Sequence, residues 1–136
     1  MKNSYYDIAC NDIAYLEAIG DTGFYNQPSA ICQQVVEKLL KSVVEQFYYK
    51  EDLTDLLRTH SLKTLGRAIK ECLPSSKLNM KDLAYLTNYY FDTRYPGPDY
   101  HIVDKEDYEE CLRIMYVVKA EVDHLRCQAH DNLDTI

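Results

Sequence analysis

The sequence predicts an all-α fold, a five-helix up-and-down antiparallel bundle, and three observations lead there. Only four Gly and four Pro occur in 136 residues, whereas a sheet protein needs turn signals about every 8–12 residues. Apolar residues instead recur at helical spacing through long segments, and the breaks between those segments are short. With 46% apolar residues, the chain fits one domain over residues 1–136, able to bury roughly two-thirds of the surface its unfolded form exposes.

The first helix is expected from about Tyr5 to Ile19, with Tyr6, Ala9, Ile13 and Leu16 on one face and Gly20-Asp21-Thr22-Gly23 as its stop. The second begins near Pro28, a residue suited to a first turn, and carries Ile31, Val35, Leu39, Val43 and Phe47 beside Val36, Leu40 and Val44. So broad a stripe marks a central helix. A third helix runs from about Ser61 to Leu73 through Leu62, Leu65, Ile69 and Cys72 and is broken by Pro74-Ser75-Ser76; Leu53 to Arg58 offers an extra helical turn before it. The fourth opens at Asn79 as N-cap, with Asp82 favouring the helix dipole, and buries Leu83, Leu86 and Tyr90. The fifth has Asp104 as N-cap and a regular seam of Tyr108, Cys111, Met115, Val118, Val122, Leu125 and Ala129.

Thirteen Tyr and no Trp point to half-buried helix seams, because a Tyr ring packs while its hydroxyl reaches a polar partner. The five cysteines, Cys10, Cys32, Cys72, Cys111 and Cys127, are scattered, odd in number and never in a C-x-x-C pair. They read as reduced packing residues. His124, Cys127 and His130 invite a metal reading, but helical rotation carries the outer histidines apart, so no metal site is expected. No run of eighteen apolar residues exists and the start lacks an apolar leader core, so a cytoplasmic protein without a membrane segment is expected.

The net charge of −7 argues against a nucleic-acid partner until its distribution is considered. Residues 58–81 carry six basic side chains and one acidic, between acidic ends. Lys63, Arg67 and Lys70 lie at i, i+4 and i+7, a stripe able to track a phosphate backbone or to form a solvated face paired with acidic neighbours. Thr59 and His60 precede the same helix, where they can cap its free amides or share those amides with a phosphate. No Gly-rich phosphate loop, Ser-His-Asp order or carboxylate pair appears, so no cofactor is called for.

The sharpest local feature is Arg94-Tyr95-Pro96-Gly97-Pro98-Asp99-Tyr100-His101. The prolines and Gly97 end a helix and impose a constrained turn that carries a phosphate-forking guanidinium and an imidazole. Arg94 also suits a plain cation at a helix C-terminus, pairing with Asp92 or Asp99, and His101 an ordinary loop histidine.

Three signatures in order are Gln33-Gln34-Val35-Val36-Glu37-Lys38-Leu39-Leu40-Lys41, Thr59-His60-Ser61-Leu62-Lys63-Thr64-Leu65 and Arg94-Tyr95-Pro96. Together they make the chain resemble the HEPN family from about Tyr5 to Leu125. Within the first, Lys38 and Lys41 also read as ordinary surface charges. The resemblance implies a small helical bundle, often a homodimer, that binds nucleotide or RNA and is frequently encoded beside a minimal nucleotidyltransferase as a toxin-antitoxin pair. Nucleotide or phosphate contacts would then fall to Thr59, His60, Lys63, Arg67, Arg94 and Tyr95.

Many members of that family are metal-independent ribonucleases using an Arg and a His. Arg94 and His101, separated by six residues, sit at the upper end of the family spacing. In that role Arg94 stabilises charge on phosphorus while His101 takes the proton of a ribose 2′-hydroxyl. This chain places Tyr95-Pro96-Gly97-Pro98 where the catalytic branch has a polar residue after its Arg. Three functions follow: a nucleotide- or RNA-binding module first, then a metal-independent ribonuclease using Arg94 and His101, then a helical dimerisation or interaction protein without ligand chemistry.

Overall fold

A computed structural model describes residues 4–50, 52–92, 96–98, 100 and 102–134. Among them it forms six helices and no strand: α1 (Tyr5–Ile19), α2 (Asn26–Phe47), α3 (Leu53–Arg58), α4 (Leu62–Cys72), α5 (Met80–Asp92) and α6 (Lys105–Asp134). The extra helix relative to the expected five is α3. It buries no residue completely, and its leucines only lean on the core, which is why its periodicity is faint in the sequence.

The helix starts follow from side-chain caps. Ser4 accepts from the Asp7 amide at 3.1 Å, and Asn79 accepts from the amides of Lys81 at 2.9 Å and Asp82 at 3.2 Å. Asp104 and Asp107 close a reciprocal box at the head of α6, the Asp107 amide donating to Asp104 at 2.8 Å and the Asp104 amide to Asp107 at 3.3 Å. Gly20 ends α1 with φ 59°, a backbone that only a residue without Cβ adopts cheaply. At the Pro96-Gly97-Pro98 turn, the Tyr100 amide donates to the Gly97 carbonyl at 3.1 Å.

Helix α2 packs against each of the other five helices. Val35, Val36, Leu39, Leu40 and Val43 are wholly inaccessible to solvent; full burial of one such side chain is worth about 1.5–3 kcal/mol. Leu83 and Leu86 of α5 are buried as expected, while the side chains of Tyr90 and Ala129 lie outside the described residues. The α6 seam is buried from Tyr108 through Leu125, with Ile114 joining it. Helices α4 and α5 approach closely at Gly66, where an added Cβ would stand 2.7 Å from Leu83 Cδ1 and 3.2 Å from Met80 Sδ. The missing side chain thus sets how near α5 lies to α4.

The tyrosines occupy seams, as their number suggests. Tyr6 donates to Asp123 at 2.7 Å, Tyr116 to Glu17 at 2.9 Å and Tyr25 to Asp21 at 2.9 Å. Burial pushes the Tyr108 hydroxyl up to about 12 and raises Tyr89, which Tyr85 meets at 3.1 Å. No described helix is long and apolar enough to cross a membrane.

Candidate nucleic-acid interface

Leu62, Leu65, Ala68 and Ile69 bury one face of α4, and this fixes the direction of the other. Lys63, Arg67 and Lys70 therefore project together along a groove of about 400 Å³, completed by Glu71 and by Met80 of α5. Among the described residues no carboxylate lies within 4 Å of these three cations. The pairing of this face with acidic neighbours that the sequence also led one to expect does not form among those residues. The acid in the groove, Glu71, is held by Lys50 at 3.4 Å, and that carboxylate raises the Lys50 ammonium in turn. The groove keeps a positive balance.

The head of α4 is built differently from the sequence expectation. Its cap is Ser61, which accepts from the Thr64 amide at 3.3 Å, rather than Thr59 or His60. The Thr59 hydroxyl accepts from the Ser61 amide at 3.1 Å, and the Leu62 amide reaches Thr87 of α5 at 3.3 Å. With the Leu62 and Thr64 amides already used, a phosphate at this end relies on side chains more than on backbone donors.

Behind His60 lies a buried polar ladder that the sequence signatures do not announce. Ser29, Gln33, Glu37 and Lys41 follow one another at four-residue intervals along α2, and all are buried. Lys41 Nζ sits 2.9 Å from Glu37 Oε2, while Gln33 Nε2 donates to Glu37 Oε1 at 3.3 Å and to the His60 carbonyl at 3.4 Å. His60 Nδ1 donates to Glu37 Oε1 at 3.0 Å. Two α2 side chains thus hold both the backbone and the ring of a residue whose side chain stays 55% exposed. Lys38, adjacent to Glu37 in sequence, turns outward to Asp12 at 2.9 Å. Lys38 and Lys41 are therefore not equivalent surface charges. Each helical residue turns the side chain by about 100°, so Lys38 leaves the stripe that Gln33, Glu37 and Lys41 share. The constant spacing of four is the sequence signal for that ladder.

A second cavity, of about 230 Å³, opens between the end of α1 and the first turns of α6. Tyr25, Tyr108 and Tyr116 wall it, but Glu17, Asp21 and Glu109 stand at its rim with Lys105 opposing them. That charge repels phosphate. No group of three His, Cys, Asp or Glu able to hold a metal ion forms among the described residues.

Of the predicted site residues, Lys63 and Arg67 share the α4 groove, with Thr59 and His60 at the head of the same helix. Arg94, Tyr95 and His101 lie outside the described residues. The HEPN domain profile matches residues 2–125, nearly the whole chain. This protein belongs to the HEPN family. Neither the curated proteins nor the solved structures include a match to it. In this HEPN chain the second-helix signature coincides with the buried polar ladder, and the Thr59 to Leu65 signature coincides with the head of α4 that the ladder holds.

Proposed function

We propose that this HEPN protein is a nucleotide- or RNA-binding helical module whose phosphate-contacting surface is the Lys63, Arg67 and Lys70 face of α4, headed by Thr59 and His60. The observation that carries the reading is a set of three cations without acidic partners among the described residues, in a protein of net charge −7. Cations arranged along a groove supply the local positive potential that phosphate binding needs even on an acidic protein. The family resemblance adds Arg94 and Tyr95 as phosphate contacts, and with them homodimer formation and pairing with a minimal nucleotidyltransferase partner.

The test is titration of ¹⁵N-labelled protein with a short RNA followed by NMR. Amide shifts concentrated in residues 59–70, with a second group in 94–101, are expected. Shifts confined to the α1 and α6 cavity would refute the site. The ribonuclease reading is tested alongside: cleavage of single-stranded RNA in the presence of a chelator, lost in Arg94→Ala and His101→Ala, would establish it, and unchanged cleavage in both variants would sink it.

A further inference from the structure

Whether the α4 face takes a mononucleotide or a strand turns on the composition of its groove. The lining is Lys63, Arg67, Lys70, Glu71 and Met80. These supply ammonium and guanidinium donors for phosphates. Within the groove itself they supply no aromatic ring, amide or hydroxyl to recognise a base, and at the head of α4 the Thr59 hydroxyl and the His60 ring are already engaged by the Ser61 amide and by Glu37; base-specific contacts come largely from such groups. A site for a free nucleotide needs a place for the base as well as for the phosphates.

The spacing adds to this. Along a helix, Lys63 to Arg67 rises about 6 Å and Lys63 to Lys70 about 10 Å. Cations so placed meet successive phosphates of one chain instead of crowding onto a single terminal group. At the far end, Lys50 neutralises Glu71, the carboxylate of the groove that would oppose a passing backbone. Next to Lys50 in the chain stands Tyr49, at 76% exposure among the most exposed large side chains of the protein. The Tyr49 hydroxyl lies near enough to act on the Lys50 ammonium that holds Glu71, so this solvent-facing ring stands toward the Glu71 end of the groove, where it offers a stacking platform for an unpaired base, the second element of single-strand binding sites.

We infer that the α4 groove and Tyr49 form a sequence-independent site for a single-stranded nucleic-acid backbone, with Lys63, Arg67 and Lys70 contacting successive phosphates and Tyr49 stacking one base. This rests on the phosphate-binding reading above and narrows it from nucleotide to strand.

Fluorescence anisotropy with the full chain tests it, using labelled oligouridine and oligoadenosine of about twelve residues, a length within the range that one single-strand site covers, with ATP and inorganic triphosphate as competitors. The two oligomers are expected to bind with closely similar affinity, with a slope of log K against log salt near about −2, since three single-strand phosphate contacts contribute about 0.7 each. Arg67→Glu lowers that slope magnitude by about 0.7, the share of one single-strand phosphate contact. Tyr49→Ala weakens oligouridine about tenfold and leaves the slope unchanged, as loss of one stacked base requires. ATP competes no better than inorganic triphosphate. If ATP binds tightly through Lys63 and Arg67 while the oligomers do not, the strand inference is overturned and the phosphate-binding reading survives. Strand binding indifferent to both Arg67→Glu and Tyr49→Ala moves the site off α4 and overturns the inference. If neither oligomers nor ATP bind, both readings fall.

Discussion

Two helices of this protein carry polar side chains at helical spacing and use them in opposite ways. On α2 the stripe Ser29, Gln33, Glu37 and Lys41 turns inward, where the Glu37 and Lys41 side chains are only 12% and 6% exposed. On α4 the stripe Lys63, Arg67 and Lys70 turns outward, without acidic partners among the described residues. The spacing is much the same; what differs is which apolar face each helix owns. α2 is surrounded by all the other helices and has little free side, whereas α4 buries one face alone. Inside, charges must be matched and become structural. Outside, unmatched charges remain available to a ligand.

The sharpest break of this contrast is Lys41→Ala. It leaves Glu37 buried without its ammonium, and an uncompensated buried charge costs about 3–5 kcal/mol, read as loss of unfolding free energy in urea. The double variant Glu37→Leu with Lys41→Met restores most of that loss, because neither charge is then left alone. A single Lys41→Ala cost below about 1 kcal/mol would mean the ladder is solvated. Gly66→Ala comes next. Its Cβ meets Leu83 and Met80, and overpacking outweighs the better helix propensity of Ala, for a net loss of about 1–2 kcal/mol in the same urea titration. His60→Ala ranks third, at about 1 kcal/mol, since its hydrogen bond reaches a carboxylate but the ring is half in water. Burial lifts the Cys111 thiol to about 12 and raises Cys32 as well. At about pH 8 neither forms appreciable thiolate, so iodoacetamide labels exposed Cys127 and reaches Cys32 and Cys111 only on unfolding.

How much of this was legible differs between the same two helices. The stripe of α4 was readable because Leu62, Leu65 and Ile69 fix the buried face, and the positions of Lys63, Arg67 and Lys70 follow. Its freedom from acidic partners was not, since that depends on where Lys50 and Glu71 meet across 21 residues of chain. On α2 the apolar stripe was plain, and its breadth announced a central helix. The inward turn of Lys41 was hidden because lysine is almost never fully buried unless paired, and a further hydrogen-bond partner of Glu37, His60, comes from a different segment 23 residues away. The caps at Asn79 and Asp104 were readable outright, because capping is local. The cap of α4 falls on Ser61 rather than on Thr59 or His60, whose side chains are occupied by contacts the sequence does not display.

The most direct test of an outward, ligand-ready stripe on α4 is binding of labelled single-stranded RNA by the triple variant Lys63→Glu, Arg67→Glu, Lys70→Glu, read together with its thermal melting. Surface substitutions away from caps and core usually leave stability nearly unchanged. An affinity loss of about tenfold or more at an unchanged melting temperature is the expected result. Unchanged affinity at an unchanged melting temperature would contradict it, and would leave the outward stripe of α4 as solvated surface.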